Sequence, residues 1–155
     1  MTQERLKRLQ AELQASQVDC VALLPGANLR YLTGLDFHLM ERPTILLIPA
    51  NGFSSFVLPA LEQHKVEQAG LAGLRLFAYT DEQGPEEATR QAIAALPDIR
   101  TLAVEYLRMR VMELRLVQRY APDVTLADAG PVTEKLRLAE SVEEFALMRR
   151  AIDIT

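Results

Sequence analysis

The sequence predicts an α/β fold: a three-layer α/β/α sandwich on a mixed, mostly parallel sheet that contains one hairpin. Three observations carry this. Short apolar runs of strand length alternate with amphipathic stretches of helical period after residue 60. An Asn51-Gly52 pair separates two apolar runs before that point, a strong hairpin signal. Apolar residues make up 49% of 155 residues, which is enough to cover both faces of a sheet in one domain.

The elements follow in order. Leu6, Leu9 and Leu13 repeat at helical spacing among Glu, Lys, Arg and Gln, giving a surface helix over 2–17. "DCVALL" (19–24) does not alternate and reads as a strand buried on both faces. Asn28 suits a helix N-cap and Gly34 a C′ position, so "NLRYLTG" (28–34) holds a turn or two of helix with Leu29 and Leu32 inward. "PTILLIPANGFSSFVLP" (43–59) supplies the hairpin, with Pro43, Pro49 and Pro59 at strand limits. Leu61, Val66 and Ala69 mark a helix ending at Gly70. "LRLFAY" (74–79) is a strand. "GPEEATRQAIAALPD" (84–98) is a helix with Pro85 near its start and Glu86 and Glu87 in its first turn. "TLAVE" (101–105) is a strand, Met109, Met112, Leu116 and Tyr120 mark a helix, and "DVTLAD" (123–128) is a short strand. Pro131 opens a helix carrying Val132 and Leu136. The domain is therefore placed at 1–138. Residues 139–155 read as a linker and a first helix leading onward: Ser141 and Glu144 form a capping box, and Phe145, Met148 and Ile152 share one face.

Composition narrows the function. The net charge is −4 with no basic stripe, which argues against a nucleic-acid partner. No apolar run nears the roughly 20 residues of a membrane span, and "MTQERLKRLQAEL" has no signal-peptide core, so the cytoplasm is the expected location. Cys20 is the only cysteine, so no intrachain disulfide and no thiolate metal cluster can form; it reads as a small buried hydrophobe. The motifs H-E-x-x-H, G-x-S-x-G, P-loop and G-x-G-x-x-G are all missing, and no complete catalytic set is present. Asp19, Glu105 and Asp128 fall at strand ends. Such acids can hold Mg²⁺ in two-metal nucleases, or can simply begin a strand, close a strand and cap a helix. "LDFHLMER" (35–42) has no period and reads as a loop. Its Phe37, Leu39 and Met40 either pack on the domain itself or mark a contact surface.

Four stretches together resemble a known family: "RLKRLQAELQASQVDCVALLPGANLRYLTG", the hairpin around Asn51-Gly52, "LAVEYLRM" (102–109) and "LRLAESVEEFALMRRAIDIT". The chain resembles, along nearly its whole length, the N-terminal domain of the creatinase, prolidase and aminopeptidase P group of "pita-bread" Xaa-Pro metallopeptidases. Glu140 departs from the pattern, where the family often has Lys. The resemblance implies a creatinase N-terminal-domain-like, ribonuclease H-like fold with no catalytic residue or metal of its own. It implies a separate C-terminal catalytic domain with two divalent ions (Mn, Co or Zn), acting on proline-containing peptides, with a prolidase-like dipeptidase favoured over an aminopeptidase. It also implies a homodimer or tetramer, in which the loop after Gly34 gates a neighbouring active site. The residues so implicated in gating or interface are Arg30, Tyr31, Asp36, Phe37, His38, Leu39 and Met40, with His38 or Asp36 as groups that could meet a substrate terminus. A creatinase-like amidinohydrolase and a free-standing small-molecule-binding α/β module are the alternatives.

Overall fold

The computed structural model describes residues 3–138; the expected linker and helix over 139–155 lie outside the described residues. The elements are α1 (Gln3–Ala15), β1 (Cys20–Leu23), α2 (Ala27–Thr33), β2 (Ile45–Pro49), β3 (Ser54–Pro59), a 3₁₀ turn (Ala60–Glu62), α3 (Gln63–Gln68), β4 (Leu74–Tyr79), α4 (Glu86–Ala94), β5 (Thr101–Val104), α5 (Val111–Tyr120), β6 (Thr125–Asp128) and α6 (Gly130–Leu138). One six-stranded sheet runs in the order β4-β3-β2-β1-β5-β6. β2 is antiparallel to both β1 and β3, while β3–β4, β1–β5 and β5–β6 are parallel. It follows that β2 alone points against the other five strands. The expected three-layer sandwich with a mixed, mostly parallel sheet and one hairpin is the observed fold.

Strand side chains alternate between two covered faces. Val21 and Leu23 of β1 join Leu46, Ile48, Phe56 and Leu58 beneath Leu9 and Leu13 of α1, Leu29 and Leu32 of α2, Val66 of α3 and Val132 and Leu136 of α6. Cys20, Ala22 and Leu24 turn the other way, towards Ala88 and Ala92 of α4 and Leu116 and Val117 of α5. Central β1 is wholly buried, as its unbroken apolar run requires. Cys20 is part of that core, and burial raises the pKa of its thiol.

The packing corrects two expectations, on α5 and at Leu61, and adds detail to the expected hairpin. The hairpin forms around Asn51-Gly52 through a turn wider than two residues: Leu47 faces Ser55, and Ala50–Phe53 lie between the strands. Gly52 takes a φ of 92°, whereas among the described residues outside glycine only Gln17 is positive, so Asn51 does not adopt the left-handed pair of a type I′ turn. Helix α1 holds this wider turn instead. Gln10 Nε2 donates to the carbonyls of Pro49 and Gly52, and Gln14 Nε2 to Ala50 O and Asn51 Oδ1. On α5 the inward face is Glu113, Leu116 and Val117, and Met112 is exposed, because Glu113, buried and paired with the partly exposed Arg110, occupies the inward position. Leu61 lies in the 3₁₀ turn and is 71% exposed; only Val66 is buried in the short helix that follows.

Candidate functional site

The five co-directional strands end at one edge of the sheet, and β2 starts there. The loop from Gly34 to Thr44 must therefore cross this carboxyl edge, the usual place for binding sites in open α/β sheets. α2 leads into it. Its N-cap is Gly26, not Asn28 as expected; Asn28 lies inside the first turn and donates from Nδ2 to Glu105 Oε1 at 2.8 Å. Asn28 Oδ1 is buried without a hydrogen-bond partner among the described residues. Gly34 closes the helix at φ 73°, its N–H reaching Arg30 O at 2.7 Å, the expected left-handed C′ geometry. Thr33 Oγ1 donates to Leu29 O and accepts from the Leu35 N–H, which turns the chain out of the helix.

The loop residues part into anchors and tip. Phe37 is 7% exposed and meets Phe56 edge-on at 5.6 Å, with the Lys65 ammonium 5.8 Å over its ring. At the far end Arg42 grips Asp81 through two hydrogen bonds of 2.6 and 2.7 Å. The neighbouring Pro43 carbonyl accepts from Tyr79 Oη at 2.9 Å. The Arg42 guanidinium holds the Asp81 carboxyl below the usual range, and burial pushes the Tyr79 phenol up. Between the anchors His38, Leu39 and Met40 are exposed. The two readings of the apolar loop thus divide by residue: Phe37 packs on the domain, and Leu39 and Met40 face outward.

The remaining residues implicated from sequence lie to one side. Arg30 and Asp36 are exposed and pair at 3.6 Å across the turn. Tyr31 faces α1 and α6: the Arg5 guanidinium sits 4.1 Å over its ring, Arg5 Nη1 donates to its carbonyl, and its hydroxyl lies 3.5 Å from Leu136 O. Behind Arg42 a hollow of about 480 Å³ is lined by Tyr79, Asp81, Met112, Arg115 and Leu116. Sequence reasoning missed Arg42, Tyr79 and Asp81. Arg42 and Asp81 are 39 residues apart and carry no local signal.

The strand-end acids do not form a metal centre. Asp19 lies opposite the start of β5, where its Oδ2 accepts from the N–H groups of Arg100 and Thr101. Glu105 closes β5 four residues further on, roughly 13 Å along the strand, and accepts from Leu24 N–H and Asn28. Asp128 Oδ1 accepts from Gly130 N–H at the start of α6. Each carboxylate is engaged by backbone donors, and among the described residues no group of three His, Cys, Asp or Glu could hold a metal ion. The two-metal nuclease reading falls on this geometry; the two ions that the resemblance implies belong to a separate C-terminal domain, and no cluster among the described residues fits them. No described helix is long and apolar enough to cross a membrane.

Comparison with known proteins agrees with the architecture. The family model of the Creatinase/Prolidase N-terminal domain matches residues 5–139. An uncharacterized hydrolase/peptidase, y4tM, of Sinorhizobium fredii is 28% identical over 99% of this chain, which spans 42% of that relative's length. The structure of the dipeptidase PepE from Mycobacterium ulcerans superposes with a TM-score of 0.76 at 27% identity, over 92% of this chain and 38% of that one. The creatinase/prolidase N-terminal domain of an X-Pro dipeptidase from Streptococcus pyogenes gives a TM-score of 0.75 at 20% identity, over 86% of this chain and 99% of that one. With the six-stranded sheet, its single reversed strand and the match over residues 5–139, the chain belongs to the Creatinase/Prolidase N-terminal domain family.

Proposed function

We propose that this chain is the non-catalytic N-terminal domain of a Xaa-Pro dipeptidase-like metallopeptidase, in which it serves oligomerisation and limits substrate access. The observation that carries this is the loop at the carboxyl edge of the sheet. Phe37 fixes one end, Arg42 and Pro43 fix the other, and the three residues His38–Met40 stand out between them. A tip held at both ends is a fixed obstacle, so it can set the length of a peptide that fits beneath it. In this reading two divalent ions and the peptide-cleaving groups belong to a C-terminal region of the parent protein, and no chemical step falls to these residues.

The test uses the full-length parent with His38→Ala and Met40→Ala together, assayed on an alanyl-proline dipeptide and on longer proline peptides. The expected result is a change of about tenfold or more in the ratio of kcat/KM values between dipeptide and longer peptide. An unchanged ratio removes the gating role. The same number of subunits, by sedimentation equilibrium, in the parent protein and in a parent lacking residues 1–138 removes the oligomerisation role.

A further inference from the structure

Eight large apolar side chains are exposed among the described residues: Leu39, Met40, Phe53, Leu61, Tyr106, Leu107, Val111 and Met112. The strand directions place seven of them on the carboxyl edge of the sheet, after β1, β3 and β5. Phe53 is the exception, in the hairpin turn at the opposite edge, where the Arg75 guanidinium lies 4.7 Å over its ring. Apolar side chains left exposed on one side are what an interaction surface presents. Four of the seven fall within 106–112, a stretch separate in sequence from the loop tip.

This stretch is held rigidly. The N–H groups of Arg108 and Met109 both bond to Glu105 O, at 2.8 and 2.7 Å. Arg108 Nη1 donates to Pro25 O at 2.9 Å, and the Glu105 carboxylate accepts from Leu24 and Asn28. The turn therefore fixes Tyr106 59% exposed and Leu107 fully exposed. Both form the lip of a crevice of about 460 Å³ whose far wall includes Glu134 and Arg137 of α6. Arg137 is the penultimate residue of α6, so the chain leaves the described domain beside this ledge. This chain spans 42% and 34% of the length of two curated relatives, and the family model it matches is that of an N-terminal domain.

We propose that the Tyr106–Leu107 ledge is the docking face for the polypeptide that follows this domain in the same chain. An apolar patch of that region covers the two side chains, and its polar groups meet Glu134 and Arg137. The inference rests on reading the chain as an N-terminal domain, but it concerns a surface distinct from His38–Met40.

The experiment places a photo-crosslinking p-benzoylphenylalanine at position 107 of the full-length parent, with the same probe at exposed Asp123, just before β6 on the opposite edge of the sheet, as control. Products are sized on a denaturing gel and mapped by mass spectrometry. The expected product has monomer mass and joins position 107 to a residue beyond 155. A product between two chains overturns the proposal in favour of a second copy. A yield no higher than that from position 123, or a reading frame that stops at Thr155, overturns it as well. Leu107→Asp supplies an independent readout: amide exchange in the region beyond 155 is expected to quicken about tenfold, with the melting temperature of Met1–Thr155 unchanged, and unaltered exchange counts against docking. X–Pro peptide turnover by the unmodified parent is measured separately. Its absence would remove the functional reading and leave the cross-link result standing.

Discussion

Phe37 and His38 are neighbours in sequence with opposite duties. Phe37 is an anchor, 7% exposed against Phe56, so Phe37→Ala opens a void in the layer that also holds Leu58 and Val66. The expected cost is about 3 kcal/mol, at the low end for a buried aromatic because the site lies near the sheet edge. Urea denaturation of Met1–Thr155 measures it, and His38→Ala should change the unfolding free energy by no more than about 0.5 kcal/mol. A functional test at Phe37 would therefore confuse unfolding with gating, which is why the tip residues are the useful probes. Glu113 is a second such position. Its side chain is fully buried and is gripped by Arg110, with two contacts from Nε at 3.0 Å. The carboxylate in turn raises the pKa of Arg110. Removing the cation strands a buried charge, so Arg110→Ala should cost about 3 kcal/mol. Adding Glu113→Leu should recover most of that, since a leucine of similar volume needs no partner. Failure of the double variant to recover would mean that the carboxylate has a role beyond the pair.

At the scale of elements, most of the framework is legible from periodicity, because each strand and helix is selected by its own side-chain pattern. Leu9 and Leu13 on α1, the unbroken run of β1, and Val132 and Leu136 on α6 all face where their spacing says. Legibility stops where a distant partner decides. The hairpin turn widens because Gln10 and Gln14 of α1 supply donors to it, and α5 rotates Met112 outward because Arg110 makes Glu113 burial affordable. The site follows the same rule. The exposed tip lies in a stretch that sequence marks as aperiodic, but the Arg42–Asp81 clamp joins two loops and no local pattern announces it. That clamp has a defined pH response. Asp81 is depressed in the folded state, so its contribution is fully present above the ordinary carboxylate pKa of about 4 and is lost as pH falls towards the lower folded value. Amide exchange at residues 38–41 should accelerate as pH is lowered through that window, after correction for intrinsic rates. Asp81→Asn should show the fast rate at neutral pH and lose the pH dependence. Exchange that stays slow in Asp81→Asn would assign the restraint to Tyr79 and Pro43 alone.

For the whole molecule the question is what holds residues 3–138 together without further chain. Both sheet faces are already covered, one by α1, α2, α3 and α6 and the other by α4 and α5. Wide coverage of this kind leaves no large apolar face of the sheet waiting for an outside helix. The edges are managed too: β6 is only four residues long, and Arg75 of β4 is drawn across to Phe53. α6 closes the first face against α1, where Lys135 reaches Glu12 at 3.2 Å and Leu136 is buried. α6 is therefore part of the cooperative unit, and we propose that the residues after it add little. A chain of residues 1–139 should unfold in urea in one transition, with a free energy within about 0.5 kcal/mol of that of Met1–Thr155. Circular dichroism and the fluorescence of the four tyrosines should give coincident curves. Cutting inside α6 instead, after Pro131, removes Val132 and Leu136 from the core and uncovers Leu9 and Leu13, so that shorter chain should not fold cooperatively. If the cut at 139 already cost about 2 kcal/mol or more, the segment beyond it would have to be part of this core, and the boundary drawn at 138 would be wrong.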